Sequence, residues 1–171
     1  MLNQKSPSES LVTTHHLVMP GEINPNGVLF AGVLMSWIDR AAFLSAGKHA
    51  GHSHVVTVNL DQIHFKFPLH VGDHIVLSSQ VDYVGRTSME VGVTVEKEDH
   101  LTDARTFAAS ASLTLVSLGE NSRPTEVPRL FLSSSEEFEK YRQSRSRVRI
   151  RGRLHNWFQE RFPKTFQLKA V

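Results

Sequence analysis

The 171-residue sequence predicts an α+β fold in which a curved five-stranded antiparallel sheet wraps one central helix, followed by a basic C-terminal extension. Three observations lead there. From about Phe30 to Lys48 the chain has no proline or β-branched run and carries apolar residues on all sides: Val33, Leu34, Met35, Trp37, Ile38, Ala41, Ala42, Phe43 and Leu44. A helix that is apolar all round is a buried helix, so the rest of the chain must cover it. From Val55 to Leu118, by contrast, β-rich runs follow one another across short polar turns. Short connections imply antiparallel neighbours, since parallel strands need long crossovers, and helix plus antiparallel sheet makes an α+β layer pair.

In chain order, Leu11 to Met19 is a short β-branched run closed by Pro20-Gly21, which predicts a first strand. A turn-rich loop with Asn24, Pro25, Asn26 and Gly27 leads into the helix, and the segment Gly47 to His54 ends it. Val55 to Phe67, closed by Pro68, is the second strand. His74 to Val84 alternates Ile75, Leu77 and Val81 with polar partners, and Gly85-Arg86-Thr87 connects it tightly to Ser88 to Lys97, where Met89, Val91, Val93 and Val95 alternate strictly. Ala104 to Leu118 is the last strand, and Gly119 to Arg129 is a polar linker with two prolines. Ser133-Ser134-Ser135-Glu136-Glu137 then has the hydroxyl caps and first-turn acids of a helix start. The expected organisation is a flexible N-terminus at 1–10, a domain at 11–130 and a basic helical or extended tail at 131–171.

Composition limits the chemistry. There are no cysteines, which excludes disulfides, thiolate catalysis and cysteine zinc sites and fits a reducing compartment. No apolar run reaches ~18 residues, so no membrane span is expected, and Met1 to Ser10 lacks the apolar stretch of a secretory signal. A cytoplasmic protein is the expectation. The net charge of +2 hides an asymmetry: residues 1–139 hold 9 Lys/Arg against 16 Asp/Glu, and residues 140–171 hold 10 against 1. Such a basic tail calls for an anionic partner, whether a phosphorylated small ligand, a nucleic acid or the acidic body of a neighbouring subunit.

Asp39 is the most informative residue. At helical spacing its neighbours are Met35 and Phe43, so the carboxylate shares an apolar face. A buried acid is retained because it is paired, with Arg40 or another cation, because it caps a helix that begins later, or because it functions. Asn24 and Asn26 are also common turn residues. Gly32 lies near the helix start, where free N–H groups and the positive dipole end favour an oxyanion or a polarised carbonyl; close packing of helix on sheet is the other explanation for it. His49, His52 and His54 fall within six residues but lack an accompanying cysteine or carboxylate at ligand spacing, so a solvated loop is expected and no metal. Phosphate-cradling glycine loops and a Gly-x-Ser-x-Gly frame are absent from the sequence. In the tail, Arg142, Arg145, Arg147, Arg149, Arg151 and Arg153 recur at every second or third residue. An extended arm would place Arg145 to Arg153 along one face, an alternation that suits a strand at least as well as a helix. Trp157, Phe158, Phe162 and Phe166 suggest a small apolar cluster that docks elsewhere.

Several phrases, in this order, are similar to one known family: the Asn24-Pro-Asn-Gly loop, Phe30-Ala-Gly-Val-Leu-Met-Ser-Trp-Ile-Asp39, Val56-Thr-Val, Phe67-Pro-Leu-His-Val-Gly-Asp73 and Gly85-Arg-Thr-Ser-Met-Glu-Val. They resemble the acyl-CoA thioesterases of the hotdog fold, closest to the YciA-like, cytosolic long-chain acyl-CoA hydrolase group. The resemblance covers about Leu11 to Arg129. It implies a hotdog dimer, trimers of dimers, and active sites between protomers. It also implies that Asp39 is the catalytic aspartate and that Asn24, from the neighbouring protomer, helps place water or substrate. Gly32 would supply the amide that polarises the thioester carbonyl, although the family usually has Gly-Gly where this chain has Ala31-Gly32.

On this resemblance the expected reaction is hydrolysis of a fatty acyl-CoA to free acid and coenzyme A, with no cofactor and no metal. Asp39 would act as general base on water, or as a nucleophile. Arg86 and Ser88 match positions that hold the pantetheine or phosphates, and Arg149 and Arg151 of the tail would reach the ribose 3′-phosphate. The expected partners are the acyl-CoA substrate and further copies of the chain, rather than a membrane or nucleic acid. Two alternatives remain at this level: a hotdog hydratase or dehydratase, and an acyl-CoA-binding regulator using its basic tail on nucleic acid.

Overall fold

The computed structural model describes residues 4–161, with side chains described for residues 4–153 other than Gln62. It divides between Phe131 and Leu132 into two compact units. In the first unit, strands β1 (Gln4–Lys5), β2 (Val12–Leu17), β3 (Val55–Phe65), β4 (His74–Val84), β5 (Ser88–Glu98), β6 (Arg105–Ser117) and β7 (Arg129–Leu130) accompany helix α1 (Ala31–Ala50). The main sheet has five antiparallel strands in the order β2-β4-β5-β6-β3; the short turns correctly make β4 and β5, and β5 and β6, neighbours, whereas β3 and β4, also joined by a short connection, are not paired, and β3 lies at the edge beside β6. β1 and β7 form a small parallel pair beside it.

Helix α1 packs on the sheet through Leu34, Trp37, Ile38, Ala41, Ala42, Ser45, Ala46 and His49, a stripe at spacings of three and four. It meets Ile75, Leu77, Met89, Val91, Val93, Leu113 and Leu115, which belong to the same buried core. Polar contacts also fasten the two layers: Ser45 Oγ donates to the Ser79 carbonyl at 2.9 Å, and Ser79 Oγ donates to the Ala41 carbonyl at 2.9 Å. The helix starts after Phe30, which offers no side-chain cap, and closes at Gly51, whose φ of +84° is the left-handed form that glycine adopts freely.

Two expectations change here. Within one chain α1 is buried on a stripe rather than all round: Met35, Phe43 and Leu44 are 41%, 37% and 50% exposed. The edge strand β3 likewise exposes Val56 and Val58. Residues 4–10 are also folded rather than flexible. Lys5 Nζ donates to the Lys48 and His49 carbonyls, both at 2.9 Å, where a cation complements the negative end of α1. Ser10 is fully buried, donating through Oγ to the Pro7 carbonyl and accepting from the Val81 amide.

In the second unit, helix α2 (Ser135–Arg161) begins as its sequence predicts. Glu137 accepts from the Ser133 and Ser134 amides, while Ser134 Oγ accepts from the Glu137 amide at 3.2 Å, a reciprocal cap. Because the arginine segment is helical, the extended alternative is excluded. Residues two apart point about 200° apart around a helix, so Arg149 and Arg151 do not share a face. Of the anticipated aromatic cluster, the side chains of Trp157, Phe158, Phe162 and Phe166 lie outside the described residues.

Candidate active site

The loop before α1 is built by Asn24. Its Oδ1 accepts from the Asn26 and Val28 amides at 2.9 and 3.3 Å, and its carbonyl accepts from the Gly27 amide, with Gly27 at φ +76°. This explains a turn-forming Asn by local chemistry. It also commits the side-chain oxygen, leaving Nδ2 for a ligand. Asn24 and Ala31 line a cleft of about 370 Å³ whose walls include Val28, Leu34, Phe65 and Phe67.

The chain enters α1 with the Phe30 carbonyl accepting from the Val33 and Leu34 amides. The amides of Ala31 and Gly32 precede the first intrahelical bond, so among the described residues they stand unpaired at the positive end of the helix. A Cβ built on Gly32 would meet nothing within 4 Å, and the residue is exposed. Close packing of helix on sheet therefore does not account for this glycine in one chain. The space over its amide is open.

Asp39 is half-buried, and its Oδ1 accepts a 2.7 Å hydrogen bond from Thr57 Oγ1 on β3. Arg40 does not pair with it: the guanidinium turns back to the Ser36 carbonyl and hydroxyl at 3.1 and 3.0 Å. Among the described residues Asp39 has no ion pair. The carboxylate is thus held by a neutral hydroxyl on an open apolar surface shared with Met35 and Phe43. The expected structural explanation, pairing with a cation, fails. Thr57 itself carries no functional signal as one β-branched residue in a strand; its side chain matters because the helix crosses β3 there.

Gly32 and Asp39 are seven residues, or two turns, apart on one helix, which separates them by about 10 Å along its axis. One small group cannot touch both from the same chain. Nor does the sheet bring Arg86 and Ser88 to Asp39. Thr57 is in register with Leu115 and Met89, whereas Ser88 is in register with Val116 and Val56, one residue along and so on the opposite sheet face. Arg149 and Arg151 lie on α2, in the second unit.

The histidines divide differently from expectation. His49 is not in a solvated loop: it is buried in α1, its Nε2 2.9 Å from the Pro128 carbonyl, and burial pushes its pKa down. His52 contacts Ser117 Oγ and accepts from the His54 amide. These three do not converge on a metal.

Comparisons with known proteins identify the fold and the family. The model of the thioesterase superfamily matches residues 26–104. YkhA of Bacillus subtilis, an uncharacterized acyl-CoA thioester hydrolase, is 40% identical over 129 residues, covering 75% of this chain and 74% of that protein. An acyl-CoA hydrolase from Staphylococcus aureus, solved with butyryl coenzyme A, coenzyme A and coenzyme A disulfide, superposes with a TM-score of 0.86 at 32% identity, over 94% of this chain and 97% of that one. A hexameric acyl-CoA thioesterase in its apo form superposes with a TM-score of 0.84 at 34% identity, over 90% and 98%. The S. aureus enzyme was also solved with alanine replacing one aspartate, one asparagine or one threonine, and its asparagine and aspartate are fifteen positions apart, as Asn24 and Asp39 are. The chain belongs to the thioesterase superfamily, with the hotdog fold of the acyl-CoA thioester hydrolases.

Proposed function

We propose that this chain is a cytoplasmic acyl-CoA thioesterase that hydrolyses the thioester at a site shared by two protomers. The observation that carries the proposal is the Asp39 carboxylate, unpaired with any cation among the described residues and held by Thr57 on an exposed apolar face, on the same helix as the open Gly32 amide. Because Gly32 and Asp39 are about 10 Å apart along α1, a complete site takes Asp39 and Thr57 from one protomer and Asn24 and Gly32 from the partner subunit. The exposed apolar residues Met35, Phe43 and Leu44 on α1 and Val56 and Val58 on the edge strand β3 supply the surface for that association. A hotdog dimer, assembled further into a trimer of dimers, is the arrangement this supports, in line with the hexameric relative.

In the proposed reaction Asp39 removes a proton from water as the oxygen adds to the thioester carbonyl carbon. The carbonyl oxygen becomes an oxyanion facing the Gly32 amide of the partner subunit, where the helix dipole and the fixed donor stabilise it. Collapse expels the coenzyme A thiolate, which takes the proton, and leaves the free acid. Asn24 Nδ2 of the partner subunit positions water or substrate, and the adjoining apolar cleft takes the acyl portion. Arg86 and Ser88 at the β4–β5 turn and Arg149 and Arg151 on α2 are assigned to the pantetheine and phosphates on the strength of charge and hydrogen-bonding capacity. No cofactor takes part.

The experiment is a free-thiol release assay across acetyl- to palmitoyl-CoA. The parent protein releases coenzyme A from at least one chain length, and Asp39→Ala lowers kcat by about 100-fold or more. Equal rates for parent and variant would refute the assignment.

A further inference from the structure

At the end of the sheet where β2 pairs with β4, three side chains from three successive strands converge. Leu17 of β2 pairs with His74 of β4, and His74 pairs with Glu98 of β5, so His15, two residues before Leu17, shares their face. His15 Nδ1 lies 3.2 Å from His74 Nε2, and His74 Nδ1 lies 3.1 Å from Glu98 Oε2. One ligand atom from each residue falls within 4.8 Å of the others. His15 is exposed, and His74 and Glu98 are half-buried, so an ion can enter from solvent.

The hydrogen bonding fixes what each atom offers. Arg105 Nε donates to Glu98 Oε1 at 2.8 Å, so Glu98 is an acceptor. It takes the Nδ1 proton of His74, leaving the His74 Nε2 lone pair aimed at His15. A neutral tautomer of His15 then fills the gap with its Nδ1 proton. Two imidazole nitrogens bound to one tetrahedral zinc ion at 2.0–2.1 Å are about 3.3–3.4 Å apart. The observed 3.2 Å is close to that distance, and the two rings, stacked with 25° between their planes, turn to bring both lone pairs onto one ion.

The geometry points to a zinc-binding site in which His15 Nδ1 and His74 Nε2 are the ligands, water completes the coordination, and Glu98 orients His74 from behind. A carboxylate donating its orientation through the far nitrogen of a ligating histidine is the usual second layer of such sites. On binding, the single ring proton of neutral His15 moves from Nδ1 to Nε2, so the metal-facing nitrogen is bare and the ring stays neutral. The site lies on the face of the sheet remote from α1, and its effect would be to clamp β2, an edge strand, to β4. It is independent of thioester hydrolysis.

The test is equilibrium dialysis of the tag-free full chain against zinc chloride at about 100 µM, with thermal unfolding followed in parallel. The parent binds one ion per chain and gains about 3 °C or more in Tm. His15→Ala and His74→Ala each lose the bound ion and the Tm gain, and Glu98→Gln weakens binding about 10- to 100-fold. His15 is exposed, so its replacement leaves the fold intact, and His15→Gln serves as a second variant of similar size. A parent that takes up no zinc, or a His15 variant that binds it as tightly as the parent, overturns the proposal.

Discussion

Thr57 Oγ1 donates a 2.7 Å hydrogen bond to Asp39 Oδ1, joining the middle of α1 to the edge strand β3 across eighteen positions of sequence. The bond holds a carboxylate beside Met35 and Phe43, apolar residues of α1 that its own chain leaves exposed. A hydroxyl that holds the base without neutralising it suits general-base chemistry better than an arginine would.

Removing that hydroxyl should therefore weaken catalysis without abolishing it. A hydrogen bond to a charged group is worth about 1.5–3 kcal/mol, so Thr57→Ala is expected to lower kcat about 10- to 100-fold, and Thr57→Ser to stay near the parent. Steady-state rates with one acyl-CoA decide it; equal rates for Thr57→Ala and the parent would remove Thr57 from the site.

Gly32 separates function from stability. A Cβ there meets nothing in its own chain, so Gly32→Ala should leave Tm unchanged or slightly raised. If the open space belongs to substrate, kcat/KM should nevertheless fall by about 10-fold or more. Loss of Tm together with loss of activity would mean that the glycine is structural.

Association should be inseparable from activity. Glutamates at Val56 and Val58 place charge on an edge strand that the proposed dimer covers. The double variant Val56→Glu, Val58→Glu is expected to run as a folded monomer in sedimentation and to lose about 100-fold or more in activity. A fully active monomer would contradict the shared site.

Buried His49 predicts an acid-side loss of stability. Its Nε2 proton serves the Pro128 carbonyl, and its Nδ1 is buried without a hydrogen-bond partner among the described residues, so a second proton has nowhere to bond. Its folded-state pKa lies below 6.5, chiefly through burial. Below pH 6.5 the unfolded chain takes up a proton that the folded chain refuses, so stability is full above this value and falls as pH drops towards the lowered pKa. Urea midpoints at about pH 7.5 and about pH 5.5 should fall more for the parent than for His49→Gln. An identical loss in the two would assign the acid sensitivity elsewhere.

Packing around a glycine makes a last case. A Cβ on Gly92 of β5 would collide with the carboxylate of Asp82 on β4. Gly92→Ala should cost about 1–3 kcal/mol of unfolding free energy, measured by chemical denaturation, because a buried strand pair has little room to shift. Unchanged stability would show that Asp82 moves aside freely.

Much of this protein is determined by its sequence alone. Alternation in Met89, Val91, Val93 and Val95 specifies a strand with one apolar buried face, and the tight turn Gly85-Arg86-Thr87 specifies β4 and β5 as antiparallel neighbours, because both are local properties of a pleated chain; the connection from β3 to β4 is also short, yet β3 pairs with β6 at the far edge. The start of α2 is equally local: Ser134 and Glu137 satisfy each other's amides at a distance of three residues. Asp39 was legible as an oddity on an apolar face, and Asn24, Gly32 and Asp39 stood out through the order of their motifs. What the tertiary structure decided is every relation that depends on where the elements cross. Thr57 became the partner of Asp39, and Arg40 did not, because α1 passes over β3 at that point. His15, His74 and Glu98 converged because strand register brings distant positions side by side. The face of α1 that the sequence reads as buried is open in one chain, since apolar composition reports that a surface must be covered but carries no information on which molecule covers it.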